Sequence, residues 1–223
     1  RMGSGMLTDD GGIFTDICHD LTKIDEFNKL ITDGYLAPLI PLRTKTELDV
    51  SDVSVVKGEF VSTQLQGAVD KAEITFKALQ ELCHAGQDRK SWLLFASGIE
   101  HAEHIAEQLG AFGVDCAPVH SKRPSEYNDA AIRAFKSNQL RAIVNYGKLT
   151  TGFNHPEIDL IGMLRPTMSP GLWVQMLGRG TRPSPDTGKT NCLCLDFAGN
   201  TRRLGPINDP KIPNKPGKGT GDI

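Results

Sequence analysis

Several things are scarce in this sequence, and each scarcity narrows what the chain can be. Its five cysteines (Cys18, Cys83, Cys116, Cys192 and Cys194) contain no Cys-x-x-Cys pair, and no secretory signal is visible ahead of them. A disulfide framework is therefore disfavoured, and reduced thiols in a soluble cytoplasmic protein are expected. No apolar run approaches the roughly 20 residues that a membrane-spanning helix needs, so no membrane partner is expected. Charge of one sign is also missing, because 25 Lys and Arg against 27 Asp and Glu leave a net charge of −2. Bulk electrostatics alone therefore do not announce a nucleic-acid binder.

What is present is enough for one ordinary domain with a real core plus an extension, in 223 residues. Charge is polarised along the chain. From 175 onward Arg179, Arg182, Lys189, Arg202, Arg203, Lys211, Lys215 and Lys218 outnumber Asp186, Asp196, Asp209 and Asp222, whereas the first sixty residues are acidic. Residues 1–5 read as a flexible leader. Periodicity predicts a helix from Leu21 to Asp33, extended chain over Tyr35–Thr44 and Glu47–Val56, and helix again from Phe60 to Ala85. From Ser91 the pattern is regular. Strands at Ser91–Ser97, Val114–Val119, Leu140–Tyr146, Ile158–Leu164 and Asn191–Phe197 are separated by helices at His101–Phe112, Pro124–Ser137 and one beginning at Ser169. Apolar strands alternating with helices imply a three-layer α/β domain with a mainly parallel sheet. The expected division is an extended and helical connection over 1–60, the α/β domain over 61–207, and a Pro/Gly/Lys-rich flexible linker over 208–223 leading to something further.

The stretch from Ser169 to Arg182 carries the densest chemistry. Ser169 can cap a helix and Pro170 suits its first position, so a short helix is predicted there, fraying at Gly178 and Gly180. At 3.6 residues per turn, Gln175, Gly178, Arg179 and Arg182 share one stripe, while Leu172, Trp173, Met176 and Leu177 lie opposite. Gly178 leaves room for a bulky anion to reach the backbone, and each guanidinium can hold two phosphate oxygens in a fork. For a lone Arg-x-x-Arg, arginines answering a helix C-terminal dipole would be the ordinary explanation.

The full pattern, Gln-x-x-Gly-Arg-x-x-Arg from Gln175 to Arg182, resembles motif VI, the arginine-finger motif of superfamily 2 helicases. Its companions stand upstream in the expected order. Leu94 to Ala102 resembles motif IV, and Ala142 to Asn154 resembles motif V. The wording of Met163–Pro170 and Leu195–Asn200 resembles the RadD-type (YejH-like) bacterial and phage branch. The likeness runs from about Trp92 to Phe197 and implies the C-terminal of two RecA-like lobes of an ATP-dependent DNA helicase or translocase. It implies Arg179 and Arg182 as catalytic fingers facing a γ-phosphate, Gln175 orienting the phosphate or water, and Gly152, Asn154 and Gly178 beside the nucleotide. Asn154 departs from the Asp usual at that position near the ribose, keeping hydrogen bonding but losing charge. ATP and Mg2+ would be held mainly by the N-terminal RecA-like lobe, itself a partner. DNA repair on single-stranded or branched DNA, and a cysteine-rich zinc module beyond the linker, are suggested by the same likeness, with RNA as the alternative substrate.

Independently of that likeness, strand-end loops carrying hydroxyls and free amides suit a sugar-phosphate backbone, because such donors bind phosphate without reading bases. Ser97, Gly98, His120, Ser121, Lys148, Thr150 and Thr151 are the expected nucleic-acid contacts. Two threonines in a turn more often bond their own backbone, but Lys148 just before them adds a favourable charge. Other signals are discounted. Gly188-Lys189-Thr190 resembles the end of a Walker A loop, yet Pro183 occupies the position of the required glycine and a strand follows. Without a Walker A loop, the chain alone is expected to be inactive and to hold no cofactor. Asp196 is expected to cap the end of its strand, Cys192 and Cys194 to pack in the core, and His101, His104 and Glu107 to face solvent rather than a metal. Two competing functions remain, a non-enzymatic nucleic-acid-binding module that retains the fold and a nucleotidase using Lys189 and Asp196.

Overall fold

Short apolar runs, most of them separated by helices, build the computed structural model, which describes residues 24–56, 58–149 and 153–211. Among them, six strands form one sheet: β1 (Leu39–Leu42), β4 (Trp92–Phe95), β5 (Cys116–Val119), β6 (Ala142–Asn145), β7 (Leu160–Met163) and β8 (Cys192–Asp196). Their order is β1-β8-β7-β4-β6-β5 and every pairing is parallel. A two-stranded antiparallel hairpin, β2 (Val55–Val56) and β3 (Glu59–Phe60), stands apart. The helices are α1 (Ile24–Thr32), α2 (Ser62–Val69), α3 (Ala72–Ala85), α4 (Ile99–Ala111), α5 (Ser125–Lys136), α6 (Pro170–Leu177) and α7 (Asn200–Leu204).

Alternation along each strand divides the core into two layers. Trp92, Leu94, Val144, Leu160 and Leu195 pack with Leu79, Leu82, Ile105 and Leu109 of α3 and α4. Leu93, Phe95, Ile143, Ile161 and Met163 face Phe135 of α5 and Trp173, Met176 and Leu177 of α6. Because β4, β6 and β7 are buried along their whole length, both faces contribute, at about 2 kcal/mol for each large apolar side chain removed from water. Gly162 in β7 permits the close approach of α3, since a Cβ there would lie 2.6 Å from Leu82 Cδ1. This is the expected three-layer α/β architecture.

Both margins of the sheet carry a proline. Cys192 donates its amide to the Pro38 carbonyl (2.9 Å), and Tyr146 donates to Val119 (3.0 Å). By the two-residue period, Pro41 in β1 and Pro118 in β5 then stand at outward-facing positions where no ladder amide is required.

Differences from the sequence reading are local. The first helix spans Ile24–Thr32; Leu21 and residues 1–5 lie outside the described residues. Of the extended stretch 47–56, only Val55–Val56 forms a strand, while Leu39–Leu42, within the segment assigned to the connection, becomes an edge of the main sheet. Lys211 turns back, its amide meeting the Leu204 carbonyl at 2.7 Å; the linker beyond it lies outside the described residues. Among the described residues no helix is long and apolar enough to cross a membrane.

Candidate nucleotide and nucleic-acid interfaces

The helix α6 begins as its sequence requires. Ser169 Oγ accepts the Leu172 amide at 3.2 Å and Pro170 occupies the first turn, where no donor is needed. Trp173, Met176 and Leu177 are buried, and Trp173 Nε1 donates to the Gly205 carbonyl at 2.9 Å. Gln175 is exposed. The helix ends at Leu177, and the next amides close three-residue turns, Arg179 onto Met176 (3.2 Å) and Gly180 onto Leu177 (2.9 Å). The single helical stripe expected for Gln175, Gly178, Arg179 and Arg182 is therefore corrected. The two glycines release the chain from helical geometry before the second arginine is reached.

The arginines nevertheless converge. Arg179 Nη1 donates to the Phe153 carbonyl at 2.5 Å, and Arg182 Nη1 donates to the same oxygen at 2.9 Å and to Asn154 Oδ1. Arg179 is buried, and burial, followed by the charge on Arg182, lowers its pKa from the ordinary guanidinium value. Two guanidiniums meeting on one carbonyl, beside an exposed Asn154 and the bare backbone of Gly178, form a rim suited to a polyanion. Gly152, Thr150 and Thr151 lie outside the described residues.

Beneath this rim the backbone is fixed from several sides. Thr181 gives its carbonyl to the Ala37 amide (2.6 Å) just ahead of β1. Gly180 sits where a Cβ would meet Cys192 Sγ at 2.6 Å, Ile161 Cδ1 at 2.8 Å and Leu39 Cδ2 at 2.9 Å, so the turn rests against the starts of three strands. Lys189 Nζ donates to Pro156 (2.8 Å), Gly180 (2.9 Å) and Arg182 (2.7 Å) carbonyls, and burial lowers its pKa. The Walker-like appearance of Gly188-Lys189-Thr190 is thus the trace of an internal clamp.

At the opposite, carboxyl end of the strands, only part of the expected nucleic-acid set faces outward. Lys148 and Ser121 are exposed. Ser97 is buried, and its hydroxyl donates to the Leu164 carbonyl at 2.7 Å, tying the ends of β4 and β7 together. Gly98 is covered, since a Cβ there would fall 1.9 Å from Gln66 Oε1. His120 is also buried; its Nε2 meets Glu103 Oε1 at 2.7 Å, and Arg123 binds the same carboxylate at 2.6 and 2.7 Å. These side chains therefore order the strand-end loops from within. Residues that the sequence did not single out stand there instead. Arg165 after β7 lies 5.5 Å from the Tyr146 ring centre after β6, and Arg123 lies 4.7 Å from that of Tyr127. For Arg165, two residues after an apolar strand, that position was the available signal.

Of the discounted signals, Asp196 behaves as a strand-end cap, accepting the Ala198 and Thr201 amides at 3.2 and 2.6 Å. Cys192 and Cys194 are buried. The expectation that His101 faces solvent is corrected. It is fully buried, its Nδ1 accepts the Ser97 amide at 3.3 Å, and burial pulls its pKa from 6.5 to about 4. His104 is exposed and pairs with Asp70 at 2.9 Å. Among the described residues no cluster of His, Cys, Asp or Glu is arranged to hold a metal ion. An open groove of about 1010 Å³ runs past Arg89, Arg141, Asp159 and Lys189. Its charges are answered internally: Asp159 takes the Lys90 and Ser91 amides, and Arg141 takes the Gly86, Gln87 and Arg89 carbonyls. Nothing there converges on a ligand.

Comparison with known proteins gives this geometry its context. Residues 74–184 match the family described as "Helicase conserved C-terminal domain". The chain is 30% identical to the "Putative ATP-dependent helicase IRC3" of Saccharomyces cerevisiae over 82% of its own length and 27% of that protein. It is 28% identical to the Schizosaccharomyces pombe irc3 protein, named as mitochondrial, over 83% and 30%. The chain thus spans less than a third of either relative. Among solved structures, a fragment of an HsdR subunit of a type I restriction enzyme from Vibrio vulnificus superposes with a TM-score of 0.63 at 21% identity, over 81% of this chain and 36% of that one. The RNA helicase Prp28 from Chaetomium thermophilum superposes with a TM-score of 0.52 at 12% identity, over 80% and 40%. These likenesses establish a RecA-like fold.

Proposed function

Because the chain carries a helicase conserved C-terminal domain over residues 74–184, we propose that it is the second motor lobe of an ATP-dependent DNA helicase or translocase. The observation that carries this reading is the meeting of Arg179 and Arg182 on the Phe153 carbonyl, beside exposed Asn154. ATP is taken as substrate between this lobe and a preceding one that supplies the phosphate cradle and the Mg2+ ligands. When the lobes close, the two guanidiniums neutralise charge building on the transferred phosphoryl oxygens. Such fingers are worth roughly 10³ to 10⁵ in rate, about 4 to 7 kcal/mol of barrier. Gln175, exposed one turn ahead of the pair, orients the phosphate or the attacking water. Gly178 lets the anion approach the backbone, and Asn154 reaches the ribose by hydrogen bonding alone.

Nucleic acid is bound at the other end of the sheet. Lys148 and Ser121, with Thr150 and Thr151 following Lys148 in the sequence, grip phosphates; Arg165 adds charge. Ser97, Gly98 and His120 act from beneath by shaping the loops. Separating the ATP-facing arginines from the strand-end surface lets closure at one alter grip at the other, with differential affinity of the closed and open states as the driving term.

The test is DNA-stimulated ATP hydrolysis by the full-length protein, with an RNA of matched sequence alongside. Arg179→Ala and Arg182→Ala are each expected to lower kcat roughly 10³-fold or more. Near-normal rates in both variants would remove the finger assignment. Nucleic-acid binding without any stimulated hydrolysis would favour the non-enzymatic binding module, and stronger stimulation by RNA would change the substrate class.

A further inference from the structure

Lys189 makes three hydrogen bonds, and their acceptors are not scattered. Pro156 belongs to the segment that begins with Phe153, whose carbonyl accepts from both guanidiniums, and Asn154, which accepts from Arg182. Gly180 and Arg182 flank Thr181 in the turn that carries the second arginine. With the Thr181 carbonyl held by Ala37, all three successive carbonyls of that turn are occupied. An ammonium has three donors and no acceptor, so Lys189 is saturated and has none left for a phosphate.

We propose that Lys189 is a positioning residue for the nucleotide site. It fixes the separation between the Phe153–Pro156 segment and the Gly180–Arg182 turn, so that both guanidiniums address one anion. The inference rests on the reading of Arg179 and Arg182 as fingers. The choice of lysine follows from size, because a compact ammonium sits between three carbonyls at 2.7–2.9 Å, whereas a longer, planar guanidinium placed there would push apart the loops that the ammonium joins. Displacement of a reacting group by about 1 Å can cost as much as 10²-fold in rate, so a clamp outside direct contact has catalytic leverage.

The experiment uses DNA-stimulated ATP hydrolysis by the full-length protein carrying Lys189→Met, Lys189→Arg, Arg182→Ala, or Lys189→Met with Arg182→Ala. Lys189→Met is expected to lower kcat at least about 10-fold while KM for ATP moves less than about 3-fold. Lys189→Arg does not restore the rate, and the double variant is no slower than Arg182→Ala alone, because the clamp acts through that arginine. Unchanged kcat in Lys189→Met, or losses that multiply in the double variant, would overturn the proposal while leaving the fingers intact. A near-normal Arg182→Ala would instead overturn the finger reading and this inference with it. If Lys189→Met lowers the melting temperature enough to obscure kcat, Lys189→Gln, which keeps two donors, is measured below that temperature. An intermediate kcat supports the clamp, and a full rate overturns it.

Discussion

Replacing Gly180 with alanine would place a methyl group 2.6 Å from Cys192 Sγ, 2.8 Å from Ile161 Cδ1 and 2.9 Å from Leu39 Cδ2. Two opposing effects decide the outcome. Gly180 does not occupy the left-handed region, so alanine gains about 0.4–1 kcal/mol by restricting the unfolded chain. Overpacking a filled core costs about 1–3 kcal/mol. The ends of Leu39 and Ile161 can swing aside, but the Cys192 sulfur sits only two bonds from the backbone of a buried strand and yields less. The contact should therefore win, leaving Gly180→Ala destabilised by about 1–2 kcal/mol. Cys192→Ala alone should cost about 1 kcal/mol through the small void it leaves. Together the two changes should compensate, with the double variant more stable than the sum of the singles by at least about 0.5 kcal/mol. Urea denaturation followed by the fluorescence of Trp92 and Trp173, both buried, measures each term. A Gly180→Ala protein as stable as the parent, or strict additivity with Cys192→Ala, would refute the claim that the arginine turn is wedged against the strand starts.

Other expectations concern neighbouring elements. His101 is held near a pKa of about 4 by burial against an ordinary 6.5, so between those values the unfolded chain binds the extra proton and stability falls as pH is lowered. His101→Gln should flatten that fall by roughly 3 kcal/mol at most between pH 6.5 and 4, read from urea midpoints across pH; an unchanged slope would contradict it. His104, whose pKa is raised first by its hydrogen bond to Asp70, works in the opposite sense. Glu59 of the hairpin accepts Thr167 Oγ1 (2.7 Å) and the Met168 amide (2.9 Å) just before α6. Glu59→Ala should destabilise by about 1–3 kcal/mol and speed hydrogen exchange at the first amides of α6; unaltered exchange there would rule out the connection.

Legibility followed the range of the forces involved. β4, β6 and β7 could be read because a strand buried on both faces must be apolar throughout, and α6 because Ser169 and Pro170 announce a helix start from adjacent positions. β1 was harder, since four residues interrupted by Pro41 do not declare which sheet they join; only the partnership with Cys192–Leu195 decides it. The arginine pair was found, but its geometry was misjudged because Gly178 and Gly180 end the helix where the periodic pattern would continue it. Ser97, Gly98 and His120 looked available because their covers, Leu164, Gln66 and Glu103, come from other elements. Lys189 was recognised as no phosphate ligand, yet its acceptors on Pro156, Gly180 and Arg182 lie on separate loops that no local pattern joins.

The outward prolines of β1 and β5 bear on how the borders of the sheet meet other extended chains. A bared sheet border is a template on which another extended peptide can zip. With Pro41 and Pro118 each deleting a donor in the middle of a four-residue border, an incoming strand finds no continuous row to grip. At exposed Pro41 in particular, the border carries its own block against strand addition.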